Sequence, residues 1–151
     1  MLDETTCPFC LPEVETEQEI ARFGTIRFIY PRAPIVTQHV MLVTLRHVEH
    51  PEELNPEEAA DVMKAYGALK KAQFDLDQYT GGNLFVNDGR VAGQHVPHVH
   101  FHVFGRAEHE AKNPYKVLAN LKNGPDLRLE PIEIRRRADR LKLALAKYLT
   151  S

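Results

Sequence analysis

One short stretch decides the fold of this chain: His98-Val99-His100-Phe101-His102-Val103-Phe104. Imidazole and apolar side chains alternate along it, and alternate side chains of a β-strand point to opposite faces of the sheet. We therefore expect the apolar residues on a buried face and the three histidines, His98, His100 and His102, together on the other. A solvated face usually carries Lys, Glu or Thr instead. The pattern therefore predicts chemistry on the histidine face.

The loop before this stretch, residues 87–94, adds a second signal. Neutral imidazole is a nucleophile and a metal ligand, and imidazolium donates hydrogen bonds to anionic oxygens. Gly89 and Gly93 allow backbone N–H groups to approach a phosphate closely. Asn87, Arg90 and Gln94 supply polar or cationic partners. A glycine-rich loop alone is a weak signal, but followed at once by a histidine row it favours a phosphate-containing ligand.

Strand and helix signals alternate along the rest of the chain. Asn55 is a good N-cap, Pro56 suits the first helical position and Glu58 completes a capping box, which predicts a helix over 56–77. A C-terminal helix is predicted over 131–149. Up to about residue 19 the chain is polar and rich in turn residues. Strands are predicted over 25–30, 39–45, 83–87 and 97–104. This order predicts an α+β fold with a largely antiparallel sheet.

Composition narrows the class of protein. A chain of 151 residues predicts one domain with a real core. A net charge of −2 gives no cationic footprint for nucleic acid. Apolar runs fall short of the ~20 residues that cross a bilayer. The polar N-terminus does not match a signal peptide, so we expect a cytoplasmic protein without nucleic-acid or membrane partners.

Cys7 and Cys10 are separated by two residues, as in a zinc knuckle, and tetrahedral zinc needs two further ligands. Because the chain has no other cysteine, histidines would have to supply them. A redox Cys-x-x-Cys pair and two unligated thiols remain alternatives.

The segment Gly93-Gln94-His95-Val96-Pro97-His98-Val99-His100-Phe101-His102-Val103 resembles the signature of the histidine-triad (HIT) family, His-φ-His-φ-His-φ-φ with φ apolar. The resemblance covers about residues 5–106. It implies an antiparallel sheet of about five strands with one long helix and a C-terminal helix. It also implies a sheet that continues across a homodimer. We expect a single domain over 1–151, with a zinc-knuckle N-terminus over 1–18 and a C-terminal extension over 107–151.

The resemblance also implies roles for single residues. His100 matches the nucleophile, and His102 matches the histidine that bonds the phosphate and assists the leaving group. His39 matches an upstream histidine lining the same pocket, and His98 is the first of the triad. The substrate-binding positions are Asn87, Gly93, Gln94, His95 and His102. Position 95 is usually Ser or Thr in the family, so His95 leaves the leaving-group preference open. The usual Pro-Arg after the triad is Gly105-Arg106 here, which keeps the arginine but loses the rigid turn.

Zinc-bearing members of the family use a cysteine pair and two histidines. This implies a structural zinc, one per chain, held by Cys7, Cys10, His47 and His98, with His50 as a substitute for His47. No divalent cation is expected to be obligatory for the chemistry.

The implied activity is attack on a nucleotide α-phosphate through a nucleotidyl-histidine intermediate. The motif looks most like the fragile-histidine-triad branch, whose members hydrolyse dinucleoside polyphosphates and release a nucleoside monophosphate. Alternatives are a nucleoside phosphoramidate hydrolase, a nucleotidyl transferase or phosphorylase, and a nucleotide-binding scaffold without catalysis.

Overall fold

Five antiparallel strands form one sheet in the computed structural model, which describes residues 3–110, 113–119 and 128–149. Their spatial order is β1-β2-β3-β5-β4, and each neighbouring pair is antiparallel. The strands are β1 (Glu19–Phe23), β2 (Ile26–Ile29), β3 (His39–Thr44), β4 (Gly81–Val86) and β5 (His100–Arg106). The predicted α+β class and five-stranded sheet are confirmed.

The helices of the described residues are α1 (Glu13–Glu17), α2 (Pro56–Asp77), α3 (Pro114–Ala119) and α4 (Pro131–Leu145). The prediction for α2 is confirmed at both ends. At its N-terminus the Asn55 side chain accepts a hydrogen bond from the Glu58 amide at 2.8 Å, and the Glu58 carboxylate accepts one from the Asn55 amide at 2.9 Å. This reciprocal pair satisfies two amides that have no partner inside the helix. α4 ends four residues earlier than the predicted 149.

The two faces of the sheet are covered differently. Helices α2 and α4 pack on one face, where Val40, Leu42 and Val103 join the main apolar core. The opposite face carries Met41 and Val43, which pack with the N-terminal residues Cys7, Phe9 and Val14. Because β3 is covered on both faces, all six of its residues are buried. The N-terminal segment therefore lies on the face that bears the histidines.

One predicted boundary was wrong in a way that affects the site. β5 begins at His100, not at 97, because the chain before it turns toward another loop. The His98 amide donates to the Val96 carbonyl at 2.8 Å, and the Val99 amide donates to the Val48 carbonyl at 2.7 Å. His98 thus precedes the strand that His100 and His102 share, although the apolar alternation holds, with Val103 fully buried.

The N-terminal stretch is more ordered than the turn-rich prediction, since it contains α1 and leads into β1. Both elements are five residues long and polar on their outer sides, which leaves little periodic signal. No helix in the described part of the chain has both the length and the apolar character needed to cross a membrane.

Candidate active site and metal centre

His100 opens β5 and is buried, with 6% of its surface exposed. Its Nδ1 lies 2.7 Å from the His98 carbonyl oxygen. Because a carbonyl only accepts hydrogen bonds, Nδ1 must carry the ring proton. The lone pair of a neutral ring is then on Nε2. Burial lowers the pKa of His100, so the neutral ring predominates at pH 7. A neutral imidazole with an unprotonated Nε2 is the form that attacks phosphorus.

The tautomer of His102 follows from a short hydrogen-bond chain. The Ile35 amide donates to His39 Nδ1 at 3.1 Å, so the proton of a neutral His39 ring is on Nε2. That nitrogen lies 3.0 Å from His102 Nδ1, which must therefore accept. The remaining proton of His102 is on Nε2. His102 is thus arranged as a neutral hydrogen-bond donor through Nε2.

Burial is the main cause of the low pKa values of His39 and His102. It lowers the pKa of His102 to about 3, with further lowering by charge on His100 and His95. It also holds the pKa of His39, which is 2% exposed, well below the ordinary value, and charge on His102 adds to the effect. At pH 7 the histidine row is therefore neutral, and three adjacent rings do not repel one another.

The loop over 87–94 is held by its own backbone and by Gln94. Gly89 and Gly93 adopt positive φ angles of 83° and 95°, which glycine reaches without strain. The Gln94 side chain is buried: its Oε1 accepts from the Gly89 amide at 2.8 Å, and its Nε2 donates to the carbonyls of Glu49 and Val96 at 2.9 and 3.1 Å. Gln94 thus ties the two ends of the loop together.

The other residues predicted to bind substrate border this loop. Asn87 is half-buried and its side chain lies beside Gly93. A methyl group added at Gly93 would be in ordinary van der Waals contact with Asn87 Nδ2, at 3.8 Å. The His95 side chain is exposed, yet its charge lowers the pKa of both His100 and His102. The predicted role of His95 in substrate binding stays a prediction.

Four side chains from three parts of the chain meet as a candidate metal centre: Cys7, Cys10, His47 and His98. Their ligand atoms all lie within 4.8 Å of one another. His98 Nδ1 is 3.4 Å from Cys7 Sγ and 3.5 Å from Cys10 Sγ, and His47 Nδ1 is 3.4 Å from Cys10 Sγ. A tetrahedral zinc with ordinary bond lengths separates sulfur and nitrogen ligands by about 3.5 Å. The donor set and its spacing therefore fit a metal of this kind.

Surrounding groups prepare His98 to bind through Nδ1. Its Nε2 donates to the Thr44 carbonyl at 2.9 Å and lies 3.1 Å from Thr44 Oγ1, which leaves the Nδ1 lone pair facing the cysteines. Burial lowers the pKa of His98 to about 4. Burial and the neighbouring Cys7 raise the pKa of Cys10 to about 12, so a cation is needed to hold this thiol as thiolate at pH 7.

His50 lies outside this cluster, so the structure supports His47 as the fourth metal-binding side chain. His50 Nδ1 lies 2.7 Å from Asp88 Oδ1. This hydrogen bond raises the pKa of His50 and connects the segment after β3 to the loop after β4.

Two aromatic residues that the sequence analysis did not single out contact the histidine row. The Phe9 ring lies edge-on to His98 and His100, with centroid distances of 6.0 and 5.2 Å. The Phe85 ring stacks on His102 at 4.9 Å with an interplanar angle of 17°. Strand parity in the predicted strand 83–87 indicates that Phe85 and Asn87 point to the same side, but the pairing of Phe85 with His102 requires the register.

Comparison with known proteins identifies the family. The family model for the HIT domain matches residues 14–109. An uncharacterised HIT-like protein of Methanocaldococcus jannaschii is 40% identical over 74 residues, 46% of this chain and 54% of that protein. The asymmetrical bis(5'-nucleosyl)-tetraphosphatase of Schizosaccharomyces pombe is 32% identical over 73 residues, 48% and 40% of the two chains. An adenosine 5'-monophosphoramidase of the same yeast is 32% identical over 78 residues, 52% and 56% of the two chains. The chain spans about half the length of these curated relatives.

Solved structures agree on the fold. A zinc-bound histidine-triad family protein from Mycobacterium smegmatis superposes with a TM-score of 0.69 at 23% identity, covering 96% of each chain. A HIT-like protein from Bartonella henselae gives a TM-score of 0.72 at 16% identity, covering 95% of this chain and 99% of that one. The similarity therefore extends beyond the matched domain into the C-terminal part of the chain.

Proposed function

Because this chain belongs to the histidine-triad (HIT) family, we propose that it hydrolyses a dinucleoside polyphosphate at an α-phosphate and releases a nucleoside monophosphate. The observation that carries the proposal is the pair of complementary tautomers on β5. His100 offers an unprotonated Nε2 as nucleophile, and His102 offers a protonated Nε2 as donor. The tetraphosphatase among the relatives supports this substrate class.

In the first step His100 Nε2 attacks the α-phosphorus. A P–N bond forms, and the bond from that phosphorus to the bridging oxygen breaks. The rest of the polyphosphate leaves with that oxygen, and His102 donates a hydrogen bond to the phosphoryl group as negative charge moves onto the oxygens. The His98 carbonyl stabilises the positive charge that develops on the His100 ring, because it accepts a hydrogen bond from Nδ1–H.

In the second step water attacks the same phosphorus and the P–N bond breaks. The monophosphate leaves, the water proton is released, and His100 returns to its neutral state. Attack by an enzyme nucleophile thus divides one displacement into two.

The loop residues have different roles in this proposal. Asn87 and the Gly93 backbone contact ribose or phosphate, and His95 approaches the leaving group. Gln94 acts by holding the loop, since its side-chain amide hydrogen-bonds backbone groups at both ends of it.

We also propose that the metal centre is a structural zinc site. Cys7, Cys10, His47 and His98 would hold the ion, which supplies a cross-link between the N-terminal segment and the start of β5. Because the His98 carbonyl accepts the His100 hydrogen bond, this cross-link also positions the nucleophile. The chemistry itself requires no divalent cation in this proposal.

A phosphoramidate substrate is the second candidate, because a relative of equal identity is named as a monophosphoramidase. The test is a product assay on diadenosine tetraphosphate and adenosine 5'-phosphoramidate in parallel, with and without inorganic phosphate. Hydrolysis of the tetraphosphate yields AMP and ATP, whereas phosphorolysis yields ADP and ATP. A kcat/KM at least tenfold higher for the phosphoramidate would favour the second candidate.

The role of His100 is tested with H100N. We expect kcat to fall by several orders of magnitude while the substrate still binds, since only the attacking atom is removed. Rapid denaturation at alkaline pH, where a P–N bond persists, should trap label from α-³²P-labelled substrate on the wild-type protein and none on H100N. H109N is the matched control, because His109 is exposed and lies in the turn after β5. Near wild-type kcat for H100N on both substrates would refute the assignment.

A further inference from the structure

Phe85 is the direct cross-strand partner of His102. Residues 85 and 102 face each other in the β4–β5 register, and β4 is one of the two edge strands of the sheet. Directly opposed side chains of neighbouring strands lie close enough to interact. The two rings are in contact and nearly parallel, since their centroids are 4.9 Å apart and their planes differ by only 17°. This is the geometry of offset stacking.

The His102 ring needs such a contact to hold one orientation. Rotation of an imidazole about χ2 is weakly restricted by its own bonds, so the surroundings decide its direction. The hydrogen bond from His39 fixes the position of Nδ1 but permits the ring to tilt about that contact. His100 meets the ring at 70° and His39 at 42°, so neither presents a parallel surface. Phe85 does, and it therefore restricts the tilt.

We propose that Phe85 is a positioning residue, which holds His102 flat so that its Nε2–H points at the phosphoryl group. The expected effect of Phe85 on turnover rests on the proposed function. The effect on the His102 ring follows from the stacked geometry and is measurable without substrate. Phe104 braces Phe85 from the side, with a centroid distance of 5.2 Å and an angle of 86°.

The variant F85L keeps apolar volume but removes the flat surface, and F85Y keeps the ring at a half-exposed position where a hydroxyl reaches water. F85L should lower kcat by about tenfold with KM changed less than about twofold, because a tilted donor loses transition-state contacts first. F85Y should retain the wild-type kcat. L84A is the matched control: Leu84 is the preceding residue, half-buried on the helix-covered face.

Nitrogen NMR of the imidazole groups gives the readout that needs no activity. His102 signals, assigned by their loss in H102N, should show a single Nε2–H tautomer in wild type, F85Y and L84A. In F85L the tautomer should be kept, because the hydrogen bond from His39 determines it, but nitrogen relaxation should show larger motion of the His102 ring. Unchanged motion of the His102 ring in F85L would overturn the proposal, as would an equal fall of kcat in L84A and F85L. If the wild-type protein turns over neither nucleotide, the proposed function fails while the NMR comparison still decides the role of Phe85.

Discussion

Acidification is expected to destabilise this fold through His102. Burial lowers the pKa of His102 to about 3 in the folded protein, whereas the unfolded side chain has the ordinary value near ~6.5. Between these values the unfolded chain binds more protons than the folded one. The free energy of unfolding therefore falls as the pH drops through 6.5, and the loss continues until the pH approaches the folded-state value.

Proton linkage gives the size of this effect. Between pH 7 and pH 5 one such histidine lowers the free energy of unfolding by about 2 kcal/mol. The figure depends little on the exact folded-state pKa, because at pH 5 the folded ring stays neutral for any value below about 4. It is determined almost entirely by protonation of the unfolded side chain.

The assay is urea unfolding, followed by circular dichroism, of the wild type and H102N at both pH values. Asparagine keeps an acceptor for the hydrogen bond from His39 but does not titrate. The pH-dependent loss of stability should be smaller in H102N by about 2 kcal/mol, which is about 1 M in the urea midpoint. Proton release from the metal centre occurs in both proteins and cancels in the comparison. Equal losses in the two proteins would refute the claim that His102 is held neutral by burial.

Three further outcomes are expected. The purified protein should carry about one zinc per chain. The C7S variant should lose zinc and thermal stability, and its activity should fall only as the protein unfolds. Metal-free protein from a chelator-free preparation would contradict this. Light scattering at micromolar concentration should give the mass of a homodimer, and a monomer mass would contradict assembly. In the native protein kcat should fall more steeply between about pH 6 and 8 than in H95S, since an imidazole, unlike a hydroxyl, can change charge near neutral pH. Superimposable pH–rate profiles would exclude a role for His95.

Local signals predicted the parts of this protein that depend on near neighbours in the chain. The capping residues around Asn55 and Glu58 located α2 because a capping box involves residues three apart. Strand parity predicted that His100 and His102 share a face for the same reason. The spacing of Cys7 and Cys10 predicted half of a metal centre.

Tertiary structure decided everything that depends on contacts between distant segments. The choice of His47 over His50 follows from where the segment after β3 passes the cysteines, although both histidines lie in that segment. The start of β5 at His100 follows from a hydrogen bond between Val99 and Val48, and the stacking of Phe85 on His102 follows from the register of an edge strand. The proton positions on His39, His100 and His102 likewise depend on carbonyl and amide partners that only the folded backbone supplies. Motifs of two or three residues report local geometry, whereas register, ligand choice and tautomer are set by packing among segments far apart in sequence.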